Sequence, residues 1–178
     1  KSPYEYKHIY NDRLLVRVEE RLIKLMSGEL NSDDLVITGS RNFLRDLHRR
    51  DVVMYLASGT DHEYVLKEAE ALKITQYFDG GIYGALDHTE AHDKERIIQR
   101  ILDEKNLRGD ELLVVGDGSV EIRNAKSRDA IALGVASDEV KRCGLNPRKR
   151  KRLTAASADL MIPDFTRYED LIRHLFET

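Results

Sequence analysis

Apolar residues recur along this chain in two rhythms, one helical and one of short unbroken runs. Across 12–26, DRLLVRVEERLIKLM, residues Leu15, Val18, Leu22 and Leu25 fall on one helical face, with Asn11 or Asp12 placed as N-cap. GELNSDD then reads as a turn, and Ser40 as the cap of a helix carrying Phe43, Leu44 and Leu47. VVMYLA, residues 52–57, is too short for a helix and is closed by Ser58-Gly59-Thr60. Such a run fits a strand buried on both faces of a parallel sheet.

The alternation continues. Thr60 and Glu63 form a capping-box pattern before a helix with Val65, Ala69 and Leu72. FDGGIYG predicts a turn with a short strand, and Asp93 caps a helix bearing Ile97, Ile98, Ile101 and Leu102. ELLVV (111–115) is a second strong strand, followed by a short helix from about Val120; AIALGV (130–135) is the third strand. DLMI (159–162) is a weaker fourth before the last helix, YEDLIRHLF. Strands separated by helices predict βαβ units with right-handed crossovers, hence an α/β fold with a parallel sheet flanked by helices.

Composition narrows the classes. With 178 residues the chain can form one domain with a real core, and 29 basic against 32 acidic residues (net −3) imply no polyanionic partner. No apolar run approaches the roughly 20 residues of a membrane span, and the opening KSPYEYKHIYNDR is too polar for a signal peptide. The single cysteine, Cys143, excludes an internal disulfide and suits a reducing compartment. These features predict a cytoplasmic protein, and a chain opening on Lys1 rather than Met predicts a fragment.

In open parallel sheets, ligands bind beyond the carboxyl ends of the strands. The first strong strand delivers Ser58-Gly59-Thr60, and the second delivers Gly116-Asp117-Gly118-Ser119 with Glu121 one turn on. Lys94 stands at the first turn of its helix. A hydroxyl and a backbone N–H at Ser58–Gly59 suit a phosphoryl oxygen, and a lysine ammonium offsets its charge. Asp117 and Glu121 offer the hard oxygens that Mg²⁺ prefers, with Gly116 and Gly118 letting the backbone turn sharply around the ion. Taken singly, each set reads equally as a turn, a solvated lysine, or a capping acid beside a surface glutamate. Their arrival in one order on one alternating scaffold favours chemistry.

In that order the residues resemble the haloacid dehalogenase superfamily of phosphohydrolases. VVMYLASGT is similar to its second motif, Lys94 in HDKERII to the lysine of its third, and LLVVGDGSVEI to its fourth. YKHIYNDRL, YLASGT and VGDGSVEIRNAK resemble more narrowly a branch found fused to sugar-kinase domains. The resemblance spans essentially the whole chain. It implies a Rossmann-like core over 39–178 and part of a small helical cap over 1–38. It further implies Mg²⁺-dependent hydrolysis of a small phosphorylated metabolite, such as a sugar phosphate. Ser58 and the Gly59 amide would hold phosphate oxygens, Lys94 would offset charge, and Asp117 would bind Mg²⁺ directly or through water. Glu121, one methylene longer than the more usual Asp, would be the second acid.

One departure is plain: the family's first motif, Asp-x-Asp, occurs nowhere in this sequence. Its first Asp is the family's nucleophile and its second the general acid and base. The 178 residues are therefore expected to lack both catalysis and the central strand that carries the motif, leaving the strands ending at Ala57 and Val115 unpaired with each other. Two alternatives stay open, a phosphoglucomutase-type phosphotransferase of the same superfamily and a non-catalytic binding module derived from it.

Other features carry less. His88 and His92 lack a third zinc ligand, and His92 or Glu90 near Lys94 suits solvent as well as substrate. Arg148–Arg152, RKRKR, reads as a solvated helix start or loop; without neighbouring aromatics, nucleic-acid binding is disfavoured. Cys143 has no base near it in sequence to make it a nucleophile.

Overall fold

A computed structural model describes residues 16, 18–85 and 93–177, with only the backbone of Ala85, Asp93 and Lys94. Helical residues 18–26 (α1) are followed by α2 (Ser40–Arg49), β1 (Tyr55–Asp61), α3 (His62–Ala71), β2 (Gly81–Ala85) and α4 (Asp93–Lys105). Then come β3 (Leu113–Gly116), α5 (Ser119–Lys126), β4 (Ile131–Val135), α6 (Pro147–Ala155), β5 (Leu160–Ile162) and α7 (Tyr168–Phe176). The described strands pair in parallel, β1 with β2 in one sheet and β3-β4-β5 in another. This is the expected α/β architecture. β1 and β3 belong to different sheets and do not pair, as the expected spacing between them requires.

Period-two alternation builds the three-stranded sheet. Leu133 and Val135 face Phe43, Leu47, Leu171 and Ile172 of α2 and α7, while Ala132 and Ala136 face Ile122, Ala125 and Leu153 of α5 and α6. Both faces are covered, so these strands are apolar throughout. The small residues on the second face let the helices approach closely: a Cβ on Gly134 would lie 3.2 Å from Leu153 Cδ1. Phe43 stacks on Phe165 at 5.0 Å between centroids, fixing α2 to the turn before α7. In α1, Val18 is buried while Ile23 and Met26 stand exposed; Leu15 lies outside the described residues.

Several boundaries differ from those expected. The first strand starts at Tyr55, not Val52, because Val52 N–H is drawn to Leu47 O (3.2 Å) and Met54 N–H to Asp79 Oδ1 (3.1 Å). It runs on through Ser58-Gly59-Thr60 to Asp61, which pairs with Ala85 after a register irregularity. Asp61, rather than Thr60, is therefore the N-cap residue of α3. Ser40 begins α2 rather than capping it; the N-cap is Gly39, at φ 81°. There a Cβ would lie 2.1 Å from Phe165 O, so the backbone contact itself requires glycine. Among the described residues no helix is long and apolar enough to cross a membrane.

Candidate functional site

Asp117 owes its position to the elements on either side. β3 pairs with β4 up to Gly116↔Gly134, and α5 is clamped to the sheet by Ile122 and Ala125, both fully buried. The two residues between strand and helix, Asp117 and Gly118, form the connecting bend, and the Asp117 side chain keeps 61% of its exposure. Glu121 lies in the first turn of α5, where a carboxylate also complements the helix dipole. A Cβ on Gly118 would fall 2.2 Å from Glu121 Oε2, and one on Gly116 3.0 Å from Glu121 Cβ. Gly118 has an extended φ of −106°, and Gly116 is not among the positive-φ residues. The two glycines thus make room for Glu121, and the bend at Asp117-Gly118 is made without a positive φ at either glycine.

A cation already lies against Asp117. Asn146 Oδ1 accepts the N–H groups of Arg148 (3.0 Å) and Lys149 (3.1 Å), and Pro147 follows the cap, so α6 starts firmly. Lys149, Leu153 and Ala156 then fall on one face against the sheet, with 4%, 0% and 3% exposure. The buried ammonium donates to Asp117 Oδ2 at 2.7 Å and lies 2.9 Å from Glu139 Oε1. Burial pulls the Lys149 pKa down, but hydrogen bonds and charge from Asp117 and Glu139 outweigh it and hold it above its ordinary value. The Arg148–Arg152 run is accordingly a helix start as expected, but not wholly solvated: four residues are exposed and Lys149 is core. Lys149 and Glu139 also line an open cavity of about 410 Å³ with Asp138, Asn146, Arg148 and Arg152.

Ser58 is half-buried at the irregular part of β1, where its Oγ accepts the Thr60 N–H at 3.2 Å. Open space surrounds the position of a Cβ on Gly59, leaving room at the backbone. Lys94 lies in the first turn of α4, which packs on both β1 and α5. One helix thus joins the strand carrying Ser58 to the helix beginning after Asp117. His88, Glu90 and His92 lie outside the described residues, and Cys143 is half-buried and free.

Among the described residues no group of three or more His, Cys, Asp or Glu could hold a metal ion. Mg²⁺ needs less, usually one or two carboxylates completed by water and phosphate oxygens. An exposed Asp117 carboxylate with Glu121 one turn on fits that demand, and the Lys149 ammonium shows that the position draws positive charge.

Lys149 and Glu139 were not singled out from sequence, although a signal existed. Asn146-Pro147 marks a helix start, and the position four residues before the apolar Leu153 on that helix is Lys149.

A family model of haloacid dehalogenase-like hydrolases matches residues 8–127, more than half of the chain. No curated protein matches. Among solved structures, a haloacid dehalogenase-like hydrolase from Streptococcus pneumoniae is 18% identical at a TM-score of 0.57, over 75% of this chain and 57% of that one. A predicted phosphatase from Clostridium acetobutylicum is 18% identical at 0.59, over 79% and 60%. A β-phosphoglucomutase from Clostridium difficile is 18% identical at 0.55, over 82% and 61%. The chain therefore spans 57–61% of the length of these three structures.

Proposed function

The chain belongs to the haloacid dehalogenase-like hydrolases, and from that membership we propose a Mg²⁺-dependent phosphomonoester hydrolase acting on a small phosphorylated metabolite, such as a sugar phosphate. The observation carrying this reading is the exposed Asp117 carboxylate at the carboxyl end of parallel strand β3, with Glu121 in the following turn. Ser58 Oγ and the Gly59 backbone N–H bind phosphoryl oxygens, and the Lys94 ammonium offsets their charge. Asp117 holds the cation, with Glu121 as the second acid. When bound, Mg²⁺ supplies charge neutralisation at a phosphoryl oxygen. Positioning and electrostatics are the contributions these residues make to transfer. Residues 1–38 belong to the substrate-selecting cap in this reading, and the setting is cytoplasmic.

The sequence holds no Asp-x-Asp pair, so the nucleophile is not among its residues, and the chain by itself is expected to bind without turnover. That same absence favours a second reading, a non-catalytic phosphate- and cation-binding module. Calorimetric titration with Mg²⁺ and inorganic phosphate tests what both readings share, and Asp117→Ala should abolish the Mg²⁺ heat. Adding a strand that carries Asp-x-Asp then separates the readings. Mg²⁺-dependent release of phosphate from an aryl phosphate supports the hydrolase, and silence in the folded protein supports the module. Dependence on a sugar bisphosphate would instead indicate mutase-type transfer, the activity named for the Clostridium difficile structure.

A further inference from the structure

The ion pair at Asp117 is asymmetric. Lys149 is fixed in the first turn of α6, one turn before the buried Leu153, with its side chain 5% exposed. Its two carboxylate partners are the free members, Asp117 with 61% and Glu139 with 72% exposure. A surface carboxylate gains little from a single ion pair, whereas a buried ammonium left without a partner is costly. The lysine therefore needs at least one of the two acids, and either acid can leave while the other remains. Of the two Asp117 oxygens Lys149 engages Oδ2, and Glu139, its other partner, sits on the loop between β4 and α6 rather than in the turn after β3.

We propose that Lys149 is a positioning residue for Asp117: a tethered counter-cation that holds this carboxylate in the metal-free protein and yields it to Mg²⁺ by resting on Glu139. The proposal deepens the metal reading given above and rests on it. A fixed positive charge beside Asp117 repels an incoming divalent cation. Lys149 thus weakens Mg²⁺ binding, while Glu139 moderates that weakening by sharing the ammonium. The two residues act on affinity with opposite signs, which a merely structural ion pair does not predict.

The test is Mg²⁺ titration by calorimetry of the wild-type chain, Lys149→Met, Lys149→Arg, Glu139→Gln and Asp117→Asn, at one pH and ionic strength. Lys149→Met should bind Mg²⁺ more tightly by roughly five- to tenfold, the scale of one close charge interaction. Lys149→Arg should stay near wild type, Glu139→Gln should bind several-fold more weakly, and Asp117→Asn should not bind. Unchanged or weaker binding in folded Lys149→Met, with binding lost in Asp117→Asn, overturns the proposal and leaves the metal reading standing. Binding that survives Asp117→Asn, or no Mg²⁺ heat in any chain, overturns both. A measurement needing no variant stands beside these: Mg²⁺ added to wild type should shift the Lys149 Cε–H NMR signal, and a saturating titration that leaves it in place overturns the proposal.

Discussion

The carboxylate of Glu121 lies over Gly118 so closely that Oε2 would be 2.2 Å from a Cβ at that position. Space, not backbone freedom, is what the glycine supplies, since its φ of −106° suits any residue. Gly118→Ala should therefore fold, with stability changed by no more than about 1 kcal/mol, because the group that must move is the end of a flexible side chain. It should displace Glu121, and Mg²⁺ binding should weaken several-fold. Gly118→Ala added to Glu121→Ala should have little further effect, and a double-mutant cycle on calorimetric affinities reads that coupling. Additive losses would show that the two positions act separately.

Gly39 presents the opposite case. Its φ of 81° is left-handed, and a Cβ would meet the backbone carbonyl of Phe165 at 2.1 Å. The obstacle is main chain held by Phe165 N–H to Thr38 O (3.0 Å), so neither partner can step aside cheaply. Gly39→Ala should cost roughly 2–3 kcal/mol or more in urea unfolding, through strain at positive φ and a clash with backbone.

Acid stability should depend on Asp159. Its carboxylate takes a hydrogen bond from Lys126 Nζ (2.8 Å) and another from Ala132 N–H (2.8 Å), which hold its pKa below the ordinary value. A carboxyl whose pKa is lower folded than unfolded contributes stability above its unfolded value, and loses it as pH falls through the folded one. Thermal midpoints of wild type should therefore fall on acidification below the ordinary Asp range. In Asp159→Asn the midpoint should be lower at neutral pH and the acid limb shallower. An acid limb as steep as wild type would mean that Asp159 contributes nothing to it.

The parallel strands were legible because burial on both faces leaves a run such as AIALGV without polar interruption, and the structure places β4 at the centre of its sheet. Asp117 and Glu121 were legible because acids at a strand end stand out against that run. The extent of β1 was not, because pairing of Asp61 with Ala85 keeps Ser58-Gly59-Thr60 extended, and pairing partners lie outside any local window. Lys149 was hidden for a different reason. Its burial depends on which of five consecutive cations the helix turns inward, and charge composition suppresses that phase while the Asn146 cap and Leu153 determine it.

The sharing of Lys149 between Asp117 and Glu139 leads to a stability prediction that does not depend on any metal. Removing either carboxylate alone leaves the ammonium one partner, at 2.7 or 2.9 Å. Since each acid is mostly exposed, Asp117→Asn and Glu139→Gln should each cost about 1 kcal/mol or less. Removing both leaves the buried ammonium no ion-pair partner, with only the more distant charge of Asp138 beside it, so the double variant should lose roughly 3 kcal/mol, well beyond the sum of the singles. Lys149→Met on that double background removes the charge and keeps an unbranched apolar side chain at the buried position, and should recover most of the loss. Urea unfolding of the wild type and these four variants measures the cycle and the recovery. Simple additivity, with no recovery from Lys149→Met, would mean that the Lys149 ammonium reaches solvent in the folded protein and that neither acid is needed to keep it in place.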